Sequence, residues 1–299
     1  MRFSVDMIRL SVRVFQSDLL FLQSACDSGL ITYYNSFDFK AFRDNFKIEE
    51  SVYYDKSNNV FCDKITDTGR VNRVWLGCNH NSKFCEDRLK TTLYIEFNPN
   101  KTDLDFGVTK QIFNRYFRGA DFTIVSCDIA IDFFYCSLDD LFFDKKRLRR
   151  LLDYREGAGR TLYFGTKKTS GYTKVYDKAA EQKKDCVWSR VEYSFKIDKS
   201  VLPVVGGVYD FDCSIPELTF YNFSSLPSDI DIKDRCCLKA IFDGYAVITD
   251  FGRRYRDKLQ DILDKQCTYH LTKDVVYPDC KKTLSDYCKT LVSLLGGVV

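Results

Sequence analysis

Four short runs in the middle of this 299-residue chain concentrate side chains able to do chemistry. In Cys127-Asp128-Ile129-Ala130-Ile131-Asp132 the two carboxylates stand four apart, which puts both on one face of a strand. Aligned carboxylates repel unless a cation lies between them, so the pair suits Mg²⁺ or Mn²⁺; two solvated strand positions fit the same spacing. In Tyr172-Thr173-Lys174-Val175-Tyr176-Asp177-Lys178 a strand would carry Lys174, Tyr176 and Lys178 on one face. A phenol, with an ordinary pKa near 10, is a poor nucleophile at neutral pH. Flanking ammonium groups and a nearby metal favour the phenolate, while a packed aromatic under two lysine stems satisfies the same pattern. In Trp188-Ser189-Arg190-Val191-Glu192-Tyr193, Glu192 would add a third carboxylate to a metal site and Arg190 a two-pronged phosphate clamp. A cross-strand ion pair accounts equally for those two residues. Between these runs lies Gly165-Thr166-Lys167-Lys168-Thr169-Ser170-Gly171, whose lysines Lys167 and Lys168 and small residues let a sugar-phosphate backbone approach closely. It lacks the spacing of a P-loop, and a hairpin turn would have the same composition.

Positioning these groups requires strands, and the sequence supplies the patterns for them. Residues 1–14 alternate apolar and polar with a change of phase near Met7, as in a half-buried strand with a bulge. Val71–Gly77, Thr91–Phe97, Phe122–Phe134, Arg160–Gly165, Tyr172–Lys178 and Val187–Ile197 are rich in Val, Ile, Tyr and Phe and are bounded by turn residues. Helical periodicity appears at Ser17–Ser28, Val108–Phe117, Leu138–Leu152, Arg253–Gln266 and Leu284–Leu295. Capping boxes are expected at Ser137/Asp140 and Thr283/Asp286. Strands outnumber helices without alternating with them, which predicts an α+β fold on a mainly antiparallel sheet flanked by helices. Three of the five prolines fall in Ser200–Asp231, placing a soft boundary there. The expectation is a body over residues 1–200 and a smaller, partly helical accessory region over 201–299, serving DNA recognition or self-association.

Composition narrows the classes of activity. Two histidines, His80 and His270, are too few and too far apart for His-based zinc hydrolases or a His-hydrophobic-His nuclease clamp. Thirteen cysteines without CxxC spacing read as reduced thiols of a cytoplasmic protein; Cys78, His80 and Cys85 offer three metal ligands without an obvious fourth. Arg9 and Arg13 interrupt what would be the apolar part of a signal peptide, and no run is long enough to span a bilayer. Net charge is +3, yet Lys145–Arg190 holds fourteen Lys/Arg against five Asp/Glu, a local +9 that leaves −6 for the rest. Such a basic island suits a phosphate backbone, and a solvated surface would look alike by charge alone.

The order of the pieces adds to this. Gly159–Lys196 resembles the Rep-trans family of plasmid rolling-circle replication initiators and the related relaxases of conjugative elements. The likeness rests on Thr161-Leu162-Tyr163-Phe164-Gly165, Val175-Tyr176-Asp177-Lys178-Ala179-Ala180-Glu181-Gln182 and Trp188-Ser189-Arg190-Val191-Glu192. Asp128-Ile129-Ala130-Ile131-Asp132 is similar to the family's acidic strand, and the Asp6 strand to its opening. The resemblance implies a tyrosine nucleophile, Tyr176, with Tyr163 and Tyr172 as rivals, and a divalent metal on Asp128, Asp132 and Glu192. It further implies nicking of origin DNA in a single-stranded or extruded hairpin form, giving a 5′-phosphotyrosyl link and a 3′-hydroxyl primer. Lys174, Lys178 and Arg190 would offset charge on the phosphate. A homodimer and contacts with a host helicase and polymerase are implied, and a membrane is not. Where the family usually has Arg two residues before the first aspartate, this chain has Ser126; its Gly-Ser-Arg turn reads Gly165-Thr166-Lys167, and the Arg two before the tyrosine is Lys174. These changes keep charge at the turn and lose bidentate geometry. Leu93-Tyr94-Ile95-Glu96-Phe97-Asn98-Pro99-Asn100 is similar to filamentous-phage replication proteins, so a phage carrier is as compatible as a plasmid. The competing expectations are an origin-binding protein without chemistry and a conjugative relaxase.

Overall fold

The computed structural model describes residues 1–15, 18, 31–33, 48–50, 74–79, 90–105, 107–119, 122–142, 151–156, 159–167, 169–197, 214–221, 226, 228–243, 245–265 and 267–295. The strands are β1 (Arg2–Phe15), β2 (Ile31–Tyr33), β3 (Ile48–Glu50), β4 (Val74–Asn79), β5 (Lys90–Phe97), β6 (Phe122–Phe134) and β7 (Leu141–Phe142). They continue with β8 (Leu151–Glu156), β9 (Gly159–Phe164), β10 (Tyr172–Asp177), β11 (Trp188–Lys196), β12 (Leu218–Tyr221) and β13 (Cys267–Leu271). The α-helices are α1 (Gly107–Tyr116), α2 (Lys178–Glu181), α3 (Ile232–Phe242), α4 (Arg253–Lys265) and α5 (Lys273–Leu294). Eight strands form one sheet in the order β4-β5-β1-β6-β11-β10-β9-β8, with a three-stranded sheet β13-β12-β7 and the pair β2-β3. The pairings of β5 with β1 and β4, of β10 with β9 and β11, and of β8 with β9 are all antiparallel. The fold is α+β, built on a mainly antiparallel sheet with helices, as the sequence pattern predicts.

The chain divides into two compact units that interleave along the sequence. One comprises Ser4–Ile129, Phe195–Phe211 and Lys281–Val299. Its β1 buries Val5 and then Ile8, Leu10, Val12 and Val14, so the burial shifts phase where the sequence shifts near Met7. Leu10 and Val12 lie opposite Ile95 and Leu93 of β5. Helix α1 turns Ile112, Phe113, Tyr116 and Phe117 inward at helical spacing, and Phe97 meets Phe113 edge to face with ring centroids 5.4 Å apart. Asp6 accepts a hydrogen bond from Asn98 at 3.3 Å, linking the opening strand to the Leu93–Asn100 stretch.

The other unit comprises Met1–Phe3, Ala130–Ser194 and Asp212–Cys280. Leu162, Phe164, Val175, Val191 and Tyr193 alternate inward along β9, β10 and β11, leaving the opposite face to the chemically active residues. Phe133 stacks on Phe220 of β12 at 4.8 Å and meets Tyr269 of β13 edge to face at 5.2 Å. Helices α3 and α4 close over a separate cluster of Tyr221, Leu238, Ile241, Leu259 and Leu263.

Two helix expectations change. The Ser137/Asp140 cap forms, with the Ser137 amide donating to the Asp140 carboxylate at 3.3 Å, but it closes only a single turn at Leu138–Asp140. Leu141 and Phe142 then pair with Phe220 and Thr219 of β12, and Leu151 opens β8, so strand pairing overrides the helical spacing at both ends; residues 143–150 lie outside the described residues. The helix expected at Leu284–Leu295 begins at Lys273, where the Thr272 carbonyl accepts from Val275 and Val276; Thr283 is an interior residue rather than a cap. Pro278 is accommodated inside it at the cost of one backbone bond. The Ser17–Ser28 helix lies, apart from Asp18, outside the described residues.

Candidate active site

Strand register assembles the site. Tyr176 lies opposite Arg190 and Lys174 opposite Glu192 on β11, while on the other side Lys174 lies opposite Tyr163 and Tyr176 opposite Thr161 of β9. With Val175 and Val191 turned to the core, Lys174, Tyr176, Arg190 and Glu192 share the opposite face. The hairpin joining β9 to β10 turns through Gly165 and Gly171, at φ +84° and +83°, conformations open to glycine and strained for other residues. The Gly171 amide donates to the Ser194 carbonyl at 2.8 Å, tying the turn to β11. Lys167 is exposed on this turn; Lys168 lies outside the described residues. Beyond Asp177, whose side chain caps α2 by accepting from the Ala180 amide at 2.9 Å, the chain turns back toward β11.

At the centre is a phenol held between an acid and a base. The Tyr176 hydroxyl donates to Glu192 Oε1 at 2.5 Å, a cross-strand diagonal contact, and accepts from Lys178 Nζ at 3.3 Å. Lys174 Nζ sits 3.9 Å from the centre of the Tyr176 ring and 3.5 Å from Glu192 Oε2. Lys178 is buried and also binds Glu181, whose carboxyl burial pushes up but Lys178, with Lys174 and Gln182, holds below its ordinary range. Burial first, and the Glu192 charge second, push the Tyr176 phenol well above its ordinary range; Arg190 opposes them. The resting phenol is therefore protonated, with a proton acceptor already in contact and two ammonium groups beside the oxygen and ring. Tyr176 is 5% exposed, so a phosphate reaches it only if side chains around it move.

Two of the three expected metal ligands, Asp132 and Glu192, are engaged by other side chains. Asp132 accepts from Arg190 Nε at 2.7 Å and Nη2 at 2.9 Å, both side chains being buried, and from the half-buried Trp188 Nε1 at 2.8 Å. Both oxygens are used by cationic and neutral donors, and the two-pronged edge of Arg190 faces Asp132. Glu192 is taken by Tyr176 and Lys174. Asp128 lies on β6, four residues before Asp132. Among the described residues no three His, Cys, Asp or Glu side chains group closely enough to hold a metal ion. As arranged, Asp128, Asp132 and Glu192 do not fit a divalent ion. Of the other ligand candidates, His80 and Cys85 lie outside the described residues. Cys127, Cys136, Cys186, Cys236, Cys237, Cys280 and Cys288 are free thiols. No described helix is long and apolar enough to cross a membrane.

The rival tyrosines occupy the same face. Tyr163 and Tyr172 stack on each other with centroids 6.2 Å apart and planes at 14°, and both are partly exposed. Sequence reasoning missed the roles of Glu192 as partner of the phenol and Glu181 as partner of Lys178. The first could have been found from register alone, since strands meeting at Tyr176/Arg190 put Glu192 on the diagonal. The second had an i, i+3 helical spacing.

No protein-family model matches the sequence, and no curated protein matches it. Among solved structures, the chain is similar to a rolling circle replication initiator protein from Geobacillus stearothermophilus. That likeness has a TM-score of 0.34 and 15% identity, over 88% of this chain and 97% of the other.

Proposed function

We propose that this chain initiates rolling-circle replication by nicking and rejoining a single DNA strand, with Tyr176 as nucleophile. The observation that carries the reading is the Tyr176 hydroxyl bonded to Glu192 and flanked by Lys174 and Lys178. In the forward step the phenol proton passes to Glu192 while the phenolic oxygen bonds to phosphorus and the bond from phosphorus to the 3′-oxygen breaks. The leaving oxygen takes a proton from water and becomes the 3′-hydroxyl that a host polymerase extends. The 5′-phosphotyrosyl bond conserves the phosphodiester energy, so a 3′-hydroxyl can later displace the tyrosine and restore Glu192 to the carboxylate. Lys174 and Lys178 offset charge on the phosphate oxygens. The basic island from Lys145 to Arg190, with Lys167 on its turn, draws in the sugar-phosphate backbone, and single-stranded or hairpin origin DNA supplies a phosphate free of duplex constraint. Residues 201–299 serve recognition, dimerisation or contact with a helicase. A conjugative relaxase would use the same step. Mg²⁺ or Mn²⁺ enters no step here, because Asp132 is committed to Arg190 and Trp188 and Glu192 to Tyr176 and Lys174.

A binding protein without chemistry is favoured by one observation, the burial of Tyr176. Incubation with end-labelled origin oligonucleotide, in Mg²⁺, in Mn²⁺ and in chelator, separates the two. Label transferred to the wild-type chain and absent from Tyr176→Phe supports the enzyme. Binding without an adduct under every condition supports the module, and an adduct retained by Tyr176→Phe moves the nucleophile to Tyr163 or Tyr172.

A further inference from the structure

The end of β6 carries an aromatic surface that the nicking chemistry does not use. Phe134 is 45% exposed and stacks on Trp188, with centroids 5.4 Å apart and planes at 27°. Tyr135, next in sequence, is 93% exposed. Its amide donates to the Val187 carbonyl at 2.9 Å, which ties it to the residue before Trp188, and Val187 is itself 50% exposed. Tyr135 has φ +69°, a left-handed conformation that glycine or asparagine adopts easily and tyrosine adopts under strain. A turn with no other duty loses nothing by using glycine. Here a strained backbone projects a large ring into solvent beside a second exposed ring, the arrangement expected where strain serves binding. Cations complete the surface: Lys184 Nζ lies 5.3 Å and Arg190 Cζ 5.8 Å from the centre of the Trp188 ring. Lys184, Val187, Trp188 and Arg190 belong to the +9 island of Lys145–Arg190, and Phe134 and Tyr135 reach it through Trp188 and Val187.

We propose that Phe134, Tyr135 and Trp188, with Lys184, form a stacking platform for the bases of single-stranded DNA next to the Tyr176 site; this rests on the nicking reading for its substrate. Trp188 precedes Arg190 by two positions along β11, about 7 Å at the rise of a strand, and Arg190 lies opposite Tyr176. A strand whose bases stack on the platform and whose phosphates meet Lys184 therefore runs past the phenol. Bases offer flat π faces of any sequence, and the adjoining cations match an anionic backbone rather than an apolar protein partner. Stacking here holds the strand extended and unpaired, so the site selects for single strands without reading their sequence.

Fluorescence anisotropy of labelled oligo(dT) of roughly 15 nucleotides, against the full-length chain carrying Tyr176→Phe, tests this apart from any cleavage. Adding Tyr135→Gly removes the ring and relieves the backbone, so the melting temperature should hold or rise while affinity falls about 5- to 100-fold. Tyr135→Phe, which keeps the ring, should bind like its parent, and duplex of the same length should show no such loss. Affinity within about twofold of the parent for Tyr135→Gly overturns the platform, as does an equal loss in Tyr135→Phe or on duplex. Adduct formation by chains retaining Tyr176 is read in parallel. Weakened binding by Tyr135→Gly without an adduct in the wild type leaves the platform standing and removes the nicking reading. Unchanged binding with a normal adduct does the reverse.

Discussion

Tyr176 and Glu192 meet across a diagonal of β10 and β11, hydroxyl to carboxylate at 2.5 Å, on a sheet face walled by Lys174 and Lys178. The contact has two opposing effects. It raises the cost of ionising the phenol at rest, and it places a proton acceptor where the phenol must lose its proton to attack. Which effect governs turnover is decided by substituting the acid.

Glu192→Gln keeps the shape, removes the charge that pushes the phenol up, and removes the acceptor. If the charge were only a penalty, adduct formation would speed up and reach its plateau at lower pH. With Glu192 as proton acceptor, the adduct rate instead falls by about 10²- to 10⁴-fold at neutral pH and recovers with rising pH as hydroxide takes over. Single-turnover adduct formation from pH 6 to pH 10, wild type beside variant, distinguishes the two directions.

The raised phenol also leaves a mark on stability. In the unfolded chain Tyr176 loses its proton near pH 10, while in the folded chain it keeps the proton to higher pH. The folded state then binds more protons, so stability is fully present below pH 10 and declines as pH climbs above it. The decline is at most about 1.4 kcal/mol per pH unit for one group. Tyr287, raised by burial first and Cys288 second, declines in the same window and is unaffected by changes at the site. Tyr176→Phe should therefore show a shallower loss of melting temperature above pH 10 than wild type. Parallel slopes would place the Tyr176 hydroxyl in water rather than against Glu192.

The strands bearing the site were legible because their pattern is simple: Val175, Val191 and Leu162 alternate with polar residues, and the period-two rule puts Lys174, Tyr176, Arg190 and Glu192 together. The partners were not legible, because register depends on which residues face each other across strands far apart in sequence. Asp132 was read for its spacing from Asp128, yet Arg190 and Trp188, more than fifty positions away, take up its oxygens. At Leu141 and Phe142 the local helical signal was present and lost to pairing with β12, a contact that no short window contains. The long α5 shows the reverse: Thr283 reads as the cap of a helix start, and packing of Val276, Cys280, Leu284 and Leu291 carries one helix through it and through Pro278.

Because Arg190 and Asp132 bury each other, they report on structure more than on a bound ion. Asp132→Asn leaves a buried guanidinium without its anion, a loss of about 3–5 kcal/mol and a fall of roughly 10 °C in melting temperature. Pairing Asp132→Asn with Arg190→Met removes the orphaned charge and should restore much of the loss. A metal-ligand role for Asp132 predicts otherwise: an unchanged melting temperature in chelator and an altered Mn²⁺ requirement for the adduct. Thermal melts in chelator, with and without the second substitution, decide between them.

The helical region offers a test independent of the site. Asp234, buried in the first turn of α3, accepts from Tyr255 at 2.6 Å and from Lys258 at 2.6 Å. The Lys258 contact first, and Tyr255 second, hold its carboxyl below the ordinary range. A lowered folded pKa makes this stabilisation complete above the unfolded value near 3.9 and progressively lost as pH falls through the folded one. Asp234→Asn cannot titrate, so its deficit against wild type should be full at pH 7 and shrink steadily below about pH 4. Since Tyr255 also packs on the cluster of Leu238, Ile241, Leu259 and Leu263, the lost anchor should loosen α3 against α4 and leave the Tyr176 site unchanged. Hydrogen exchange resolved by segment would show faster exchange over Ile232–Lys265 and none over Tyr172–Lys196. Equal acceleration in both segments would mean that this region and the sheet bearing Tyr176 open as one cooperative unit.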